Sequence, residues 1–124
     1  MICGIGTDIQ QISDLERVLT KDGLFLQKVY STQEIQYCKK HRNAAQHFAA
    51  RWAAKEALVK ALGTGIGKFR LKDISIRNKE NGQPYFVLYG DVKKYIEQHD
   101  LTPLLSVSHS ADYAVSTVVV TTRF

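Results

Sequence analysis

Three charged residues have the types and spacing that phosphoryl chemistry requires: Asp8, Glu56 and Lys60. Asp8 lies in GIGTDI, at the end of an apolar stretch with the composition of a strand. Glu56 and Lys60 are four residues apart in RWAAKEALVKALGTG and therefore share one face of a predicted helix. Mg²⁺ prefers oxygen ligands and is typically held by one or two carboxylates together with substrate phosphates. If Asp8 and Glu56 meet in space, they supply the protein's share of such a site, and Lys60 faces the phosphates.

The Glu56–Lys60 pair also has a plain structural interpretation. A Glu-to-Lys pair at this spacing is frequent on helix surfaces and stabilises a helix by only about 0.3–0.5 kcal/mol. Against that interpretation, Glu56 is flanked by Ala53, Ala57 and Val59 rather than by a broad polar surface. We therefore expect this face of the helix to be buried, where an isolated charge is costly.

The surroundings of Asp8 are less specific. An Asp at a strand end is often a turn residue or a helix cap. Gly4 and Gly6 permit close backbone approach, and we expect that approach to accommodate a bulky polyphosphate ligand. The distance between Asp8 and Glu56 in space is left open by their sequence separation.

Two further motifs are compatible with phosphate binding without defining it. GTGIGK, residues 63–68, lacks the spacing of a Walker loop and follows a helix instead of opening one, so we reject that assignment. Its glycines predict a helix C-cap and leave room for phosphate oxygens near backbone N–H groups. His109, in SVSHSADY, lies at a predicted strand end, where a single histidine is more often a surface residue than a catalyst. His41 and His47 have no visible partner, and we assign them no role.

The elements that position these residues follow from periodicity and turn signals. The first nine residues have the β-branched and small residues of a short strand. A first helix follows, with an N-cap predicted at Ser13 and Glu16 placed for a capping box. Its end is predicted near residues 22–23, where Asp-Gly interrupts the apolar pattern.

The rest of the chain predicts a mixture of helices and antiparallel strands. A second helix is predicted from Ser31 or Thr32, and a long third helix over residues 44–62, ended by Gly63. A hairpin (DISIRN, KENG, PYFVLYG), a short helix (DVKKYIEQH) and two strands (LLSVSHS, AVSTVVVTT) follow. This order predicts an α+β fold, with residues 1–124 forming a single domain.

Bulk properties bound the class of protein. The chain has 124 residues, of which 44% are hydrophobic and 23% charged, and a net charge of +5. This length suffices to bury a core, and the basic balance favours acidic partners: nucleic acid, phosphorylated metabolites or an acidic protein.

The sequence allows a disulfide between Cys3 and Cys38, but two free thiols in a reducing compartment are the simpler interpretation. Neither a secretory leader nor a bilayer-spanning apolar run is found, which predicts a cytoplasmic protein without membrane contact.

Longer stretches carry a resemblance to a known family. GIGTDIQQI lies near the start, and FAARWAAKEALVKALGTGIG in the middle contains the specific pattern W-A-A-K-E-x-x-x-K-A-x-G-T-G. With NGQPYFVL and SVSHSADYAVSTVVV, nearly the whole chain resembles the holo-[acyl-carrier-protein] synthase family, the short type of 4′-phosphopantetheinyl transferase. The resemblance implies transfer of the 4′-phosphopantetheine arm of coenzyme A to a serine of an apo acyl carrier protein. Adenosine 3′,5′-bisphosphate is released, in support of fatty acid biosynthesis.

The resemblance also implies a cofactor, an assembly and site residues. Such enzymes use Mg²⁺ and form homotrimers whose active sites lie between neighbouring subunits. On the matching positions, Asp8 and Glu56 bind the metal and Lys60 contacts a phosphate of coenzyme A. The residues placed beside coenzyme A are Arg51, Gly63, Thr64, Gly65 and His109. Our hypothesis for the serine proton is that Glu56 accepts it, directly or through a metal-bound water, while Lys60 offsets the diphosphate charge.

One position departs from the family pattern. The family usually has an Arg six residues after the metal-binding Asp, where it helps to dock the acidic carrier protein. This chain has Asp14 there, which reverses the charge. Arg17 lies on nearly the same helix face and Lys21 one turn beyond it, so we expect these two residues to take over part of the docking.

Two other functions remain open at this stage. A small basic nucleic-acid-binding domain would fit the net charge. It lacks aromatic residues interleaved with basic ones on a predicted sheet face, and it lacks the basic run of a recognition helix, so we expect no nucleic-acid partner. A transferase of the same family that acts inside a larger synthase is the other alternative; the short chain favours a stand-alone enzyme.

Overall fold

The computed structural model describes residues 1–21, 23–65 and 67–123. Its elements in chain order are β1 (Ile2–Gln11), α1 (Ile12–Leu19), α2 (Leu24–Val29), α3 (Thr32–Lys39), α4 (Ala44–Leu62), β2 (Ile74–Asn78), β3 (Pro84–Leu88), α5 (Gly90–Gln98), β4 (Leu101–His109) and β5 (Tyr113–Thr122). This order confirms the expected α+β class, including the long helix, the hairpin and the two C-terminal strands.

The strands form two antiparallel sheets, and α4 packs on the larger one. That sheet has the order β1-β5-β4, while β2 and β3 pair only with each other. Alternate residues of β5, such as Ala114, Val118 and Val120, are buried beneath α4. The opposite, outer face of the same sheet is apolar and open: Ile5 is 69% and Leu104 56% exposed. The buried face of this sheet therefore holds β1, which carries Asp8, against α4, which carries Glu56.

Gly4 and Gly6 serve this packing and not a ligand, contrary to the expectation from sequence. A Cβ atom added at Gly4 would lie 2.1 Å from the carbonyl oxygen of Ala61, and one at Gly6 would lie 2.1 Å from that of Ala57. The backbone of α4 occupies the space that we had assigned to a polyphosphate. The pattern correctly indicated a close approach, but the approaching group is the helix.

Gly6→Ala is therefore expected to destabilise the protein by about 1–3 kcal/mol or more, because the new methyl group meets helix backbone that cannot rotate away. Urea denaturation measures the free energy of unfolding. Gly23→Ala is the matched control, because no atom lies within 4 Å of a Cβ at Gly23. Equal stability of the two variants would contradict the packing described for β1 and α4.

The beginning of the helical region differs from the prediction. α1 starts at Ile12, one residue before the predicted N-cap Ser13, and Gln11 precedes it without a side-chain capping bond. The predicted end near residues 22–23 falls partly on residue 22, which lies outside the described residues. α2 was not predicted, whereas α3 begins as expected, with Ser31 and Glu34 forming a capping box.

Cys3 and Cys38 are both free, the first exposed and the second buried. Burial raises the pKa of the Cys38 thiol to about 12, which leaves it protonated and unreactive. Among the described helices, none has the length and apolar character that crossing a bilayer requires.

Candidate functional site

Asp8 and Lys60 meet where β1 crosses α4. The Lys60 Nζ lies 2.9 Å from Asp8 Oδ1 and donates a second hydrogen bond, 3.0 Å long, to the carbonyl oxygen of Thr7. The Asp8 side chain is 17% exposed and that of Lys60 55%, so the pair lies at the rim of the fold and is open to a ligand. The structure thus brings a strand residue and a helix residue, 52 positions apart, into one ion pair.

Glu56 lies one helical turn from Lys60 and completes this cluster. Its pKa is raised, first by burial and then by the negative charge of Asp8, while Lys60 lowers it. The Glu56 carboxylate is therefore within electrostatic reach of both Asp8 and Lys60, and the lysine offsets the repulsion between the two acids. The flanking Ala53 and Ala57 are fully buried, as expected, whereas Glu56 itself is half-buried.

The turn after α4 borders the same region. Gly63 ends the helix with φ +69°, a left-handed conformation that other residues rarely adopt. The hydroxyl of the following Thr64 is shielded from solvent and has no hydrogen-bond partner among the described residues, which leaves it available to a ligand. Gly65 also has a positive φ. Glu56 itself lines a cavity of about 140 Å³ beneath this turn, together with Phe69.

The donor set fits a hard, oxygen-preferring cation. Asp8 and Glu56 provide carboxylate oxygens only, and their mutual repulsion is relieved by any cation placed between them. No group of three or more His, Cys, Asp or Glu side chains that could enclose a metal is present in residues 1–21, 23–65 and 67–123. Two protein carboxylates leave most positions of an octahedral shell to waters and to substrate phosphates, which is the usual arrangement for Mg²⁺.

Arg51 and His109 form a second cluster, which is separate from the first. Both line a cavity of about 260 Å³ together with His47, Asn78 and Pro84. None of Asp8, Glu56 and Lys60 lines this cavity. Arg51 and Glu56 are five residues apart on one helix, which places them roughly 140° apart around its axis. The structure therefore joins Arg51 to His109 but does not join this pair to the carboxylates within one chain.

Sequence reasoning missed the histidines of this second cluster. The rings of His41 and His47 lie 4.2 Å apart, and the Tyr37 ring packs on both. The pKa of His47 is lowered to about 4, mainly by burial and further by the charges of His41, Arg51 and His109. His47 is therefore neutral near pH 7 and contributes shape and hydrogen bonding to the cavity, while Arg51 contributes charge. The six-residue spacing of His41 and His47 spans a helix start, which explains why no periodic pattern linked them.

A buried ion network holds Arg51 in place, and it too was missed. Glu34, on α3, accepts a hydrogen bond from Lys55 Nζ at 2.7 Å, and its second oxygen lies 4.0 Å from Arg51 Nε. Arg51 donates to Asn78 Oδ1 at 2.7 Å and lies over the Tyr37 ring at 4.4 Å. The Lys55 and Glu34 side chains are both 0% exposed. Arg51 and Lys55 are thus both part of the core.

The two residues predicted to dock a carrier protein lie on and just beyond α1, the helix that follows β1. Arg17 is exposed on α1 and forms an ion pair with Asp14, three residues earlier. Lys21 is exposed just beyond the helix. The charge of Arg17 is therefore partly neutralised by the very residue that departs from the family pattern.

Comparisons with known proteins place the chain in a family. The model of the 4′-phosphopantetheinyl transferase superfamily matches residues 4–118. A holo-[acyl-carrier-protein] synthase of Syntrophus aciditrophicus is 44% identical over 122 residues, which cover 96% of this chain and 95% of that protein.

Solved structures are similar over the same extent. The holo-(acyl-carrier-protein) synthase of Bacillus anthracis, in complex with CoA (3′,5′-ADP), has a TM-score of 0.82 and 34% identity, covering 98% of both chains. The holo-[acyl-carrier-protein] synthase of Helicobacter pylori, in complex with coenzyme A, also has a TM-score of 0.82. It is 32% identical and covers 94% of this chain and 99% of that chain.

Proposed function

This chain belongs to the 4′-phosphopantetheinyl transferase superfamily, and from that premise we propose that it is a holo-[acyl-carrier-protein] synthase. It transfers the 4′-phosphopantetheine arm of coenzyme A to a serine of an apo acyl carrier protein and releases adenosine 3′,5′-bisphosphate. The observation that carries the proposal is the meeting of Asp8, Glu56 and Lys60 where β1 crosses α4. This cluster has the charges that a diphosphate and a divalent cation require.

The reaction needs positioning and charge neutralisation more than covalent help from the protein. The carrier serine oxygen attacks the β-phosphorus of the diphosphate, a new P–O bond forms, and the bond to the bisphosphate leaving group breaks in line. Lys60, with its exposed ammonium group, offsets charge on the diphosphate. Glu56 accepts the serine proton, and its raised pKa makes it a better base than an ordinary surface carboxylate.

Asp8 and Glu56 are the residues that would hold Mg²⁺. When bound, the ion supplies Lewis-acid neutralisation of the diphosphate oxygens. The Asp8–Lys60 ion pair keeps these two side chains ordered before the ligands arrive. The unpartnered Thr64 hydroxyl and the turn formed by Gly63 and Gly65 border the cofactor on the same side.

The separation of the two clusters supports an active site shared between subunits. Coenzyme A carries a diphosphate and a further phosphate on its ribose, so one molecule can bind both clusters if they come from neighbouring chains. Arg51 and His109 of one chain would then complete the site begun by the other chain's carboxylates.

The assembly that we propose is a homotrimer. The exposed outer face of the β1-β5-β4 sheet, which carries Ile5 and Leu104, is the apolar surface that a second copy would bury. Multi-angle light scattering tests this point, since a mass of one chain at assay concentration would contradict a shared site.

The carrier protein is acidic in this proposal and docks on α1. Arg17→Glu is expected to raise the KM for the carrier about threefold to tenfold with little change in kcat, because this exposed basic residue is not part of the Asp8–Glu56–Lys60 cluster. Asp14→Arg restores the family's charge and frees Arg17, so it is expected to lower the same KM. Steady-state kinetics with varied carrier concentration measure both values, and an unchanged KM in Arg17→Glu would exclude this docking surface.

The remaining assignments follow from this activity. Residues 1–124 form one transferase domain, the compartment is the cytoplasm, and the modified carrier serves fatty acid biosynthesis. No nucleic acid and no membrane take part.

The proposed function is tested by following the small product. Incubation with coenzyme A, Mg²⁺ and an apo acyl carrier protein is expected to release adenosine 3′,5′-bisphosphate, detected by liquid chromatography. A carrier whose acceptor serine is changed to alanine is the control and should release none. Release that does not depend on the acceptor serine would indicate hydrolysis instead of transfer.

A further inference from the structure

A basic groove lies on the other side of Arg51 from the cavity that contains His109. It has a volume of about 300 Å³ and is lined by three cationic side chains, those of Lys40, Arg51 and Arg77. The amide side chains of Gln33 and Gln36, on α3, line it as well. None of its lining residues in the described part of the chain is a carboxylate. We call this concavity the anion groove, and the site described above makes no use of it.

The surrounding protein neutralises the positive charges of the anion groove only in part: Glu34 forms one long ion pair with Arg51, and no described lining residue is acidic. The nearest acidic side chain in the network, Glu34, is already bonded to Lys55 Nζ and to the backbone N–H of Ile76. Its distance of 4.0 Å from Arg51 Nε is too long for a hydrogen bond. Three like charges in one concavity repel one another unless an anion binds between them.

The two arginines also keep unused hydrogen-bond donors. Arg77 donates through Nη2 to the hydroxyl of Tyr89, and Arg51 donates through Nη2 to Asn78. The Nε of each arginine is without a hydrogen-bond partner among the residues that the structure describes. Both Nε atoms are shielded from solvent, so an anion would use the remaining Nη donors of each five-donor guanidinium group.

We propose that the anion groove is a second binding site, specific for a small tetrahedral oxyanion such as phosphate. Guanidinium groups match the geometry of phosphate oxygens, the Lys40 ammonium adds a point charge, and the Gln33 and Gln36 amides supply neutral donors. Free phosphate and the phosphoryl group of a larger metabolite share this chemistry. The groove, of about 300 Å³, has room for a phosphoryl group.

Arg51 couples the anion groove to the cavity proposed for coenzyme A. Tyr37, Arg51, Ile76 and Asn78 line both spaces, so the Arg51 guanidinium group is shared by the two. An anion in the groove takes up donors of Arg51 and places negative charge behind it, which weakens the hold of Arg51 on a phosphate of coenzyme A. By thermodynamic linkage, bound coenzyme A lowers the affinity of the groove for the anion to the same extent. This coupling rests on the proposed function, whereas binding in the groove does not.

Isothermal titration with inorganic phosphate, at constant ionic strength and without Mg²⁺, tests the binding. The wild-type protein is expected to bind one phosphate per chain with millimolar affinity. Arg77→Gln and Lys40→Gln should each weaken binding at least about tenfold. Lys93→Gln, which removes one positive charge from the exposed surface of α5, is the matched control and should bind as the wild type does. Equal binding by all four proteins, or none by the wild type, would overturn the proposal.

A second measurement separates the groove from the catalytic site. With free Mg²⁺ held constant, phosphate is expected to raise the KM for coenzyme A about fivefold without lowering kcat, and this effect should vanish in Arg77→Gln. Saturating coenzyme A should weaken phosphate binding but leave it measurable. Complete displacement would mean that the two ligands share one site and would overturn the proposal. Because the titration needs no turnover, it remains decisive even if the protein fails to modify a carrier.

Discussion

Glu56→Gln and Asp8→Asn are each expected to lower the turnover number about 100-fold or more. Each substitution removes one of the two carboxylates that the chain offers to a divalent cation, while it preserves the side-chain shape. Initial rates of bisphosphate release measure the effect, and Glu97→Gln, an exposed carboxylate on α5, should retain full turnover. Near-wild-type turnover in Glu56→Gln would refute both roles assigned to Glu56.

The metal and base roles of Glu56 separate by pH and metal titration. Because burial and Asp8 raise the pKa of Glu56, protons compete with the cation for this carboxylate at a higher pH than they would at a surface residue. Mg²⁺ affinity is therefore expected to fall as the pH falls. Asp8→Asn removes the second cause of the raised pKa and should shift this dependence to lower pH. A variant that binds Mg²⁺ normally and still loses turnover would assign Glu56 to proton transfer.

Glu34→Gln is expected to destabilise the fold by about 3–5 kcal/mol, because it leaves the fully buried Lys55 charge without its partner. Burial lowers the pKa of Lys55, and the nearby Glu34 carboxylate raises it. Without that carboxylate the pKa of Lys55 falls further, so the amine loses its proton more readily. The loss of stability should therefore shrink as the pH is raised above neutrality. Urea denaturation at several pH values measures both effects.

A double variant distinguishes a broken ion pair from a simple packing defect. Lys55→Met added to Glu34→Gln removes the orphaned charge, at the cost of the hydrogen bonds that Lys55 donates to the carbonyl groups of Leu71 and Ile74. The double variant should recover a large part of the lost stability. Glu80→Gln, at an exposed turn, is the control and should change stability by no more than about 0.5 kcal/mol. A double variant less stable than Glu34→Gln would contradict this explanation.

The regular elements could be predicted because their signals are local. The apolar spacing of Phe48, Trp52 and Val59, followed by a glycine, gave the bounds of α4 correctly. The hairpin was found from strand residues on either side of KENG, and α3 from its capping residues. α2 was missed because six residues, Leu24–Val29, are too short for a helical period to emerge.

The contacts within the candidate site are long-range, and local pattern does not encode them. Glu34 and Lys55 are 21 residues apart, and no feature of either helix alone indicates their partner. A faint signal was present: Arg51 and Lys55 stand among alanines that had to be buried, so their charges needed a counter-ion. Gly4 and Gly6 correctly predict that another group lies close to the β1 backbone. That this group is α4 follows only from the position of the helix in the fold.

Intact-mass spectrometry of an apo acyl carrier protein tests the central claim most directly. After incubation with this protein, coenzyme A and Mg²⁺, the carrier should gain the mass of one phosphopantetheine group. The gain should disappear when the Mg²⁺ is chelated and when Glu56→Gln replaces the wild type. The absence of an adduct on several different carriers, or an adduct that forms equally well with Glu56→Gln, would contradict the account.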